Sequence, residues 1–459
     1  IMVEIAKNQD DEVGDGTTSA VIIAGELLRR AEELIDLGIH PTMIVHGYRS
    51  AAEKAQEILQ GFAIDVKPQD ISILKKIAET AMSGKGVESA RSQLCDIVAE
   101  AVTLLADKKG MVDVKDIKVE KKIGGEIEDS EIIRGVVIDK ERVHPGMPKK
   151  VEKAKIMLLN APVEFTKTQV DAQFTINHPD QLQAFLNEEE RMTKMIVERI
   201  IKSGANVVIC QKAIDEIAQH YLSKAGILAV RRVKSSDMEK LARATGASII
   251  SSIDAISSKE LGYAGNVEER KVSGEEMIFV EECKNPKAVT IIIRGGTEHV
   301  VAEYDRAVED AIRVVSTVMK EGKILAGGGA PEIELSLRLR EYATTTGGRA
   351  QLAVEAFASA LEIIPKTLAE NAGLDPIDMI VALRAAHEKG QKTFGLDVVT
   401  GKPVDFLKEG VIEPLRVKVR AITCAVETAD MIIRIDDNIS STKSSAPPMP
   451  QQGMGEMGM

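Results

Sequence analysis

The chain has 459 residues, 44% of them hydrophobic and 28% charged, so it can bury more than one core and we expect two or three domains. A net charge of −12 argues against a nucleic-acid surface, which needs clustered Lys and Arg. The longest apolar runs, such as residues 289–293, are far shorter than the roughly 20 residues of a membrane span, so we expect a cytoplasmic protein that binds neither nucleic acid nor membrane.

The first part of the chain has the pattern of helices. It opens at Ile1, without Met and inside a helical pattern, so we expect an upstream segment to be missing. Apolar residues at helical spacing predict a helix that starts near Ala20 and closes at Gly38. A second helix, through residues 51–59, completes a helical hairpin.

The next segment combines helices with a strand. Asp70 is a candidate N-cap, and the helices that follow flank a tight Ser-Gly-Lys-Gly turn at residues 83–86. Charged and apolar residues then alternate over residues 115–121, which predicts a strand. We interpret this segment as a connecting domain.

From about residue 141 the pattern changes to short apolar strands separated by helices, which predicts a layered α/β domain. The predicted strands cover residues 155–159, 206–210, 227–230, 248–253 and 289–293. An alternating strand at residues 170–176, followed by a charged helix from Asp180, is predicted to project from the body.

Helices return from about residue 297, so two helical ends bracket the α/β insertion. The predicted helices of this part cover residues 300–319, 331–342, 352–364 and 376–387. The last segment, residues 440–459, is rich in Ser, Pro, Gly and Met without periodicity and is predicted to be disordered. The four cysteines are far apart and without zinc-ligand spacing, which predicts reduced thiols in the core.

A glycine-rich turn before the first long helix is the strongest local signal for chemistry. Its candidate residues are Gly14, Asp15, Gly16, Thr17, Thr18 and Ser19. Glycines let backbone amides approach an anion, and the helix N-terminus and Thr hydroxyls add donors, which predicts a phosphate cradle. Asp15 would repel a triphosphate unless a divalent cation lay between them, so the turn also predicts Mg²⁺. The alternative is an ordinary helix cap after a flexible turn; a Walker A motif is excluded because no Lys follows.

Three further features are ambiguous by themselves. Gly327, Gly328 and Gly329 lie between two helices, where a ligand could approach the backbone or the chain could simply turn. Asp310 resembles a solvated acid on a helix face. Lys85, between two glycines, could reach a phosphate or be an ordinary surface lysine.

Together these motifs resemble the group II chaperonins of the archaeal thermosome type, over the whole chain. The motifs that carry the resemblance are the turn at residues 14–18, the three glycines at 327–329, Ala-Glu-Asn-Ala-Gly at 369–373, Val-Ile-Glu-Pro-Leu-Arg at 411–416 and the Met-Gly tail. The resemblance implies a multidomain chaperonin fold, mostly helical, with an inserted α/β apical domain. The implied bounds are 1–69 and 327–459 for an equatorial ATP-binding domain, 70–140 and 294–326 for an intermediate hinge domain, and 141–293 for the apical substrate-binding domain, with a lid protrusion at about 163–203.

The resemblance also implies roles for single residues. Asp15 would be the Mg²⁺ ligand, while Gly14, Gly16, Thr17, Thr18 and Ser19 would bind the phosphates of ATP. Asp310 would be the catalytic acid that orients and deprotonates the attacking water, which replaces the interpretation of a solvated acid. Gly328, with Gly327 and Gly329, would lie at the ribose, Glu413 would accept from ribose hydroxyls, and Lys85 would sense the γ-phosphate.

The implied function is ATP-dependent protein folding in a double ring. The cofactors would be ATP and Mg²⁺, and the partners non-native proteins and identical or homologous subunits. Two upstream nucleotide loops of the family are absent, so we expect an incomplete ATP site. The alternatives are a metabolic ATP-dependent kinase or ligase and a non-catalytic nucleotide-binding scaffold.

Overall fold

A computed structural model describes residues 1–67, 70–107, 110–164, 179–283 and 287–435. The predicted strand at 170–176 and the predicted disordered tail lie outside these residues. The helices, in chain order, are α1 (Met2–Val13), α2 (Thr17–Asp36), α3 (Pro41–Phe62), α4 (Ile71–Met82), α5 (Arg91–Leu105), α6 (Pro179–Ser203), α7 (Glu216–Lys224), α8 (Ser235–Thr245), α9 (Glu298–Glu321), α10 (Ala330–Thr346), α11 (Gly348–Leu361), α12 (Ile363–Asn371), α13 (Pro376–Glu388), α14 (Phe406–Glu409) and α15 (Leu415–Ile433).

The strands form small sheets at the helical ends and one large sheet in the middle of the chain. They are β1 (Ile64–Asp65), β2 (Ile117–Ile123), β3 (Glu131–Ile133), β4 (Gly135–Ile138), β5 (Lys150–Leu159), β6 (Val207–Cys210), β7 (Leu228–Val230), β8 (Ile249–Ile250), β9 (Gly262–Val272), β10 (Glu275–Glu281), β11 (Val289–Gly295), β12 (Lys323–Ala326), β13 (Phe394–Asp397), β14 (Lys402–Asp405) and β15 (Ile412–Pro414). The large sheet has the order β4-β10-β9-β5-β6-β7, with β8 beside β5.

The first core is helical and joins the first and the last helices that the structure describes. Helices α1, α2 and α3 pack against α10, α11 and α15, and the centre of this core holds Tyr48 and Phe357 with ring centroids 5.8 Å apart. The Tyr48 hydroxyl donates to the Leu27 carbonyl at 2.9 Å, so this buried polar group is satisfied. Apolar residues at helical spacing therefore fold into a body that holds residues from both chain ends.

The second core lies between α4, α5 and α9 on one side and the sheet β2-β11-β3 on the other. Asp70 caps α4, as predicted, because its carboxylate accepts from the Ser72 amide at 3.1 Å. Strand β11 pairs parallel with β2 and antiparallel with β3. This unit brings together two stretches of chain that the middle sheet separates in sequence.

The middle of the chain forms the α/β insertion that the strand pattern predicted. Its large sheet carries one apolar layer that includes Met238 and Leu241 of α8, and a second that includes Val197 and Ile200 of α6. Two strands near the predicted bounds pair as follows. Strand β4, before residue 141, pairs with β10 in the large sheet, and β11, at residues 289–295, pairs with β2 in the small one.

The cysteines are buried free thiols, as predicted: Cys95, Cys210, Cys283 and Cys424. Burial raises the pKa of Cys210 and of Cys283 to about 11, so both are protonated near neutral pH. Among the described helices, none is both long and apolar enough to cross a membrane.

Candidate functional site

The glycine-rich turn joins α1 to α2. Gly14 ends α1 with φ of 72°, and Gly16 precedes α2 with φ of 76°, a left-handed conformation that favours glycine. Helix α2 begins at Thr17, three residues before the predicted start near Ala20. The amides of Thr17, Thr18 and Ser19 are therefore in its first turn, where backbone N–H groups have no partner within the helix. No side chain caps this end of α2.

Both glycines are also required by close packing. A Cβ atom on Gly14 would lie 2.6 Å from Cβ of Arg313 on α9, and one on Gly16 would lie 2.9 Å from Cγ1 of Val417 on α15. Arg313 donates to the Asp10 carbonyl at 3.2 Å and pairs with the Asp10 carboxylate at 3.3 Å. The turn is thus held between two helices from the second half of the chain.

Gln9 is a residue of this turn that the sequence analysis missed. Its side chain is fully buried, and its Nε2 donates to the Asp15 carbonyl at 2.8 Å and to the Val417 carbonyl at 3.2 Å. Gln9 therefore ties the backbone beside Gly16 to α15. Its spacing was an available signal, because Gln9 lies one turn after the buried Ile5 and before the buried Val13.

Lys85 and Asp310 form an ion pair although 225 positions separate them, with Nζ 2.8 Å from Oδ2. Lys85 lies in a turn between Gly84 and Gly86, which have φ of 77° and 71°. The pKa of Asp310 is raised by burial and further by the charges of Asp10 and Asp15, while Lys85 opposes the rise. Asp310 is thus a partly buried carboxylate that pairs with Lys85, rather than a fully solvated acid.

The three glycines at 327–329 connect β12 to α10. Gly327 donates its amide to the Val411 carbonyl at 2.9 Å. A Cβ on Gly328 would meet the Phe406 ring, and one on Gly329 would lie 2.9 Å from Cβ of Pro365. Gly328 and Gly329 also have positive φ, 65° and 78°. Packing and backbone conformation therefore require these glycines without any ligand.

Glu413, in β15, belongs to a buried charge cluster that the sequence analysis did not find. Lys418 on α15 lies between two carboxylates, with Nζ 3.0 Å from Glu413 and 2.8 Å from Glu332 in the first turn of α10. The pKa of Glu413 is raised by burial, and the charges of Glu332 and Asp15 add to it, while Lys418 lowers it. Burial opposes the charge of Lys418, but the two carboxylates raise its pKa.

The predicted site residues converge on one region. Gly14 packs against Arg313 of α9 and Gly16 against Val417 of α15, so the turn lies beside the helix that carries Asp310 and beside the helix whose Lys418 pairs with Glu413. Within the described parts of the chain, no three His, Cys, Asp or Glu side chains are arranged to hold a metal by themselves. Mg²⁺ nevertheless fits Asp15, because protein sites often give this ion one or two carboxylates and leave the rest of its shell to phosphates and water.

Comparisons with known proteins agree with one another. The model of the TCP-1/cpn60 chaperonin family matches residues 1–443. A thermosome subunit of Methanopyrus kandleri is 60% identical over 97% of this chain and 82% of its own length. The thermosome subunit beta of Methanothermobacter thermautotrophicus is 59% identical over 100% of this chain and 84% of its own length. The solved open-state monomer of a group II chaperonin from Methanococcoides burtonii is 52% identical, with a TM-score of 0.71 over 92% of this chain and 100% of that one.

Proposed function

The chain belongs to the TCP-1/cpn60 chaperonin family, as a group II chaperonin subunit of the archaeal thermosome type, and on this premise we propose that it binds and hydrolyses Mg-ATP at the turn before α2. Its function is ATP-dependent protein folding, and double-ring assembly is the behaviour of its family. This membership decides against a metabolic kinase or ligase. Whether the chain is instead a non-catalytic scaffold is tested by measuring ATP hydrolysis.

One observation carries the proposed ATP site. An uncapped helix N-terminus, preceded by two left-handed glycines, lies near the ion pair of Lys85 with Asp310 and near Glu413. Free amides at a helix N-terminus bind phosphate. We therefore assign the phosphates to Gly14 and Gly16 through Ser19, and the ribose to Glu413 and the glycines at 327–329.

The chemistry of the proposed reaction rests on position and charge. Mg²⁺ would neutralise phosphate charge, with Asp15 as its protein ligand. Asp310 would orient the attacking water and accept its proton, and burial favours this role because the raised pKa makes its carboxylate a stronger base. Lys85 pairs with Asp310 at 2.8 Å and would move to the γ-phosphate when the intermediate unit closes.

The domain assignment and the partners are part of the same proposal. The helical core with both chain ends would be the equatorial unit, the sheet β2-β11-β3 with its helices the hinge, and the large sheet the apical unit that contacts non-native proteins. Helix α6 would belong to the lid protrusion at 163–203, of which residues 165–178 lie outside the described structure. The subunits of the ring would be identical or homologous chains, and the expected cytoplasmic location stays a prediction.

Two measurements on one sample test the proposal. Negative-stain images and light scattering, with and without Mg-ATP, should give a ring of many subunits that becomes more compact with nucleotide. Phosphate release should exceed that of Asp310→Ala by about 10²–10⁴-fold. A ring that releases no more phosphate than a blank without protein would instead identify a non-catalytic scaffold, and a monomeric particle would contradict the assembly.

A further inference from the structure

His387 is a buried histidine whose two ring nitrogens both contact acceptors. It lies at the end of α13 and is 1% exposed. Its Nδ1 is 2.9 Å from Oε2 of Glu334, and its Nε2 is 2.8 Å from the carbonyl oxygen of Phe394. A carbonyl oxygen can only accept a hydrogen bond, so Nε2 carries a hydrogen and donates it.

The partner of Nδ1 is a carboxylate that stays ionised. Burial raises the pKa of Glu334, but hydrogen bonds from His387 and Arg338 outweigh burial and lower it. The ring thus joins Glu334 to the Phe394 carbonyl, with one hydrogen-bond contact on each side. Two cations also lie at this carboxylate: Arg338, with Nε 3.1 Å from Glu334, and Lys392, with Nζ 3.9 Å from it.

The two acceptors belong to two elements that both adjoin the turn at 327–329. Glu334 is in the first part of α10, which begins directly after Gly329. Phe394 opens the hairpin β13–β14, and the next two residues contact the turn. The Leu396 amide donates to the Gly328 carbonyl at 2.9 Å, and a Cβ on Gly395 would lie 2.6 Å from the Gly327 carbonyl oxygen.

We propose that His387 is a positioning residue for the nucleotide site, whose buried ring clamps the hairpin β13–β14 and helix α10 onto the turn at 327–329. This inference rests on the proposed function, because it concerns the turn assigned to the ribose. The ring does not touch the nucleotide. It fixes the two elements that hold the turn, so the turn keeps one conformation before nucleotide arrives. Losing the clamp lowers the fraction of molecules ready to bind, and the apparent affinity falls in proportion.

The test compares wild type with His387→Gln, His387→Phe and the control His299→Gln, which changes an exposed histidine at the start of α9. Gln can donate to only one of the two acceptors at a time, and Phe to neither. Hydrogen–deuterium exchange of the nucleotide-free protein, resolved by peptide, reports the clamp directly. The affinity for ADP, measured by calorimetry, reports its consequence.

We expect faster exchange at the hairpin 394–405 and at the turn 327–329 in His387→Gln, with unchanged exchange in α3 and α11, which form the centre of the helical core. ADP should bind about tenfold more weakly than to wild type, the effect of losing one hydrogen bond to a charged group. His387→Phe should show a larger effect of the same kind; if it does not fold, the Gln variant alone decides.

Unchanged exchange at the turn, or an ADP affinity equal to that of the control, would overturn the inference. Faster exchange spread over the whole helical core would also overturn it, since that result indicates a general loss of stability. If wild type itself bound no ADP while local exchange still rose in His387→Gln, the clamp would stand and the proposed nucleotide site would fail.

Discussion

Replacing Lys418 by Met tests how the charge cluster under the proposed ribose site is stabilised. Both partners of Lys418 are largely buried, with side chains 2% exposed for Glu332 and 19% for Glu413. Removing the cation leaves two carboxylates facing each other, and breaking a buried pair in this way costs about 3–5 kcal/mol of unfolding free energy. At a urea slope of about 2 kcal/mol per molar, the unfolding midpoint should fall by about 2 M.

The pH dependence of this loss gives a second signature. The pKa of Glu413 is already raised in the folded protein, and removal of Lys418 raises it further. A carboxyl whose pKa in the folded protein is above its unfolded value, about 4.3, binds more protons when folded. The free energy of unfolding therefore falls as pH rises from the unfolded pKa through the folded one. The loss of unfolding free energy in Lys418→Met, relative to wild type, should therefore be largest at neutral pH and smaller near pH 4.

Urea unfolding followed by circular dichroism at the two pH values measures both effects. Lys75→Met is the matched control, because its ion pair with Asp96 has both side chains about half exposed and should contribute little. A midpoint shift no larger than that of the control would refute the reasoning, as would a deficit that stays the same at acid pH.

Four further predictions concern the proposed ATP site. Asp310→Ala should bind ATP as wild type does but hydrolyse it about 10²–10⁴-fold more slowly, while Glu303→Ala on the same helix should change little; equal phosphate release by both variants would remove Asp310 from the reaction. Because burial raises the pKa of Asp310, wild-type hydrolysis should fall as pH drops through that raised value. Asp15→Ala should weaken nucleotide binding at limiting Mg²⁺, and calorimetry that found the wild-type affinity would exclude it as a ligand. Lys85→Ala should still hydrolyse ATP but close differently, so identical small-angle scattering of variant and wild type with ATP and with ADP would leave Lys85 an ordinary surface lysine.

The sequence predicted the architecture because local periodicity and turn residues determine helices and strands. The motif order predicted the family, which the comparisons confirm. The start of α2 was predicted too late, at Ala20, because apolar spacing begins only after the first turn, whose residues need not be apolar. The domain bounds and the residue roles stay predictions.

What the sequence could not reveal are contacts between distant positions. Strand β11 pairs with β2 across 172 positions in the first register pair, Val289 with Ile117, and no local pattern carries that pairing. Lys418 could have been suspected, since it lies among the buried residues Val417, Ala421 and Ile422 of α15. A lysine at such a position requires buried acids, but the sequence does not say which.

The pairing of β3 with β11 also places the two ends of the insertion side by side. Thr290 lies opposite Ile133 in an antiparallel register, so the chain leaves the small sheet and returns to it at adjacent points. A two-residue Asn-Gly link could join these positions as a tight hairpin and omit everything between them. Deleting the insertion would expose Ile292, because this residue packs against Phe279 of the large sheet. Ile292 would therefore have to be replaced by a polar residue. The adjacent positions Ile133 and Thr290 are therefore a place at which a different domain could be inserted into the same hinge.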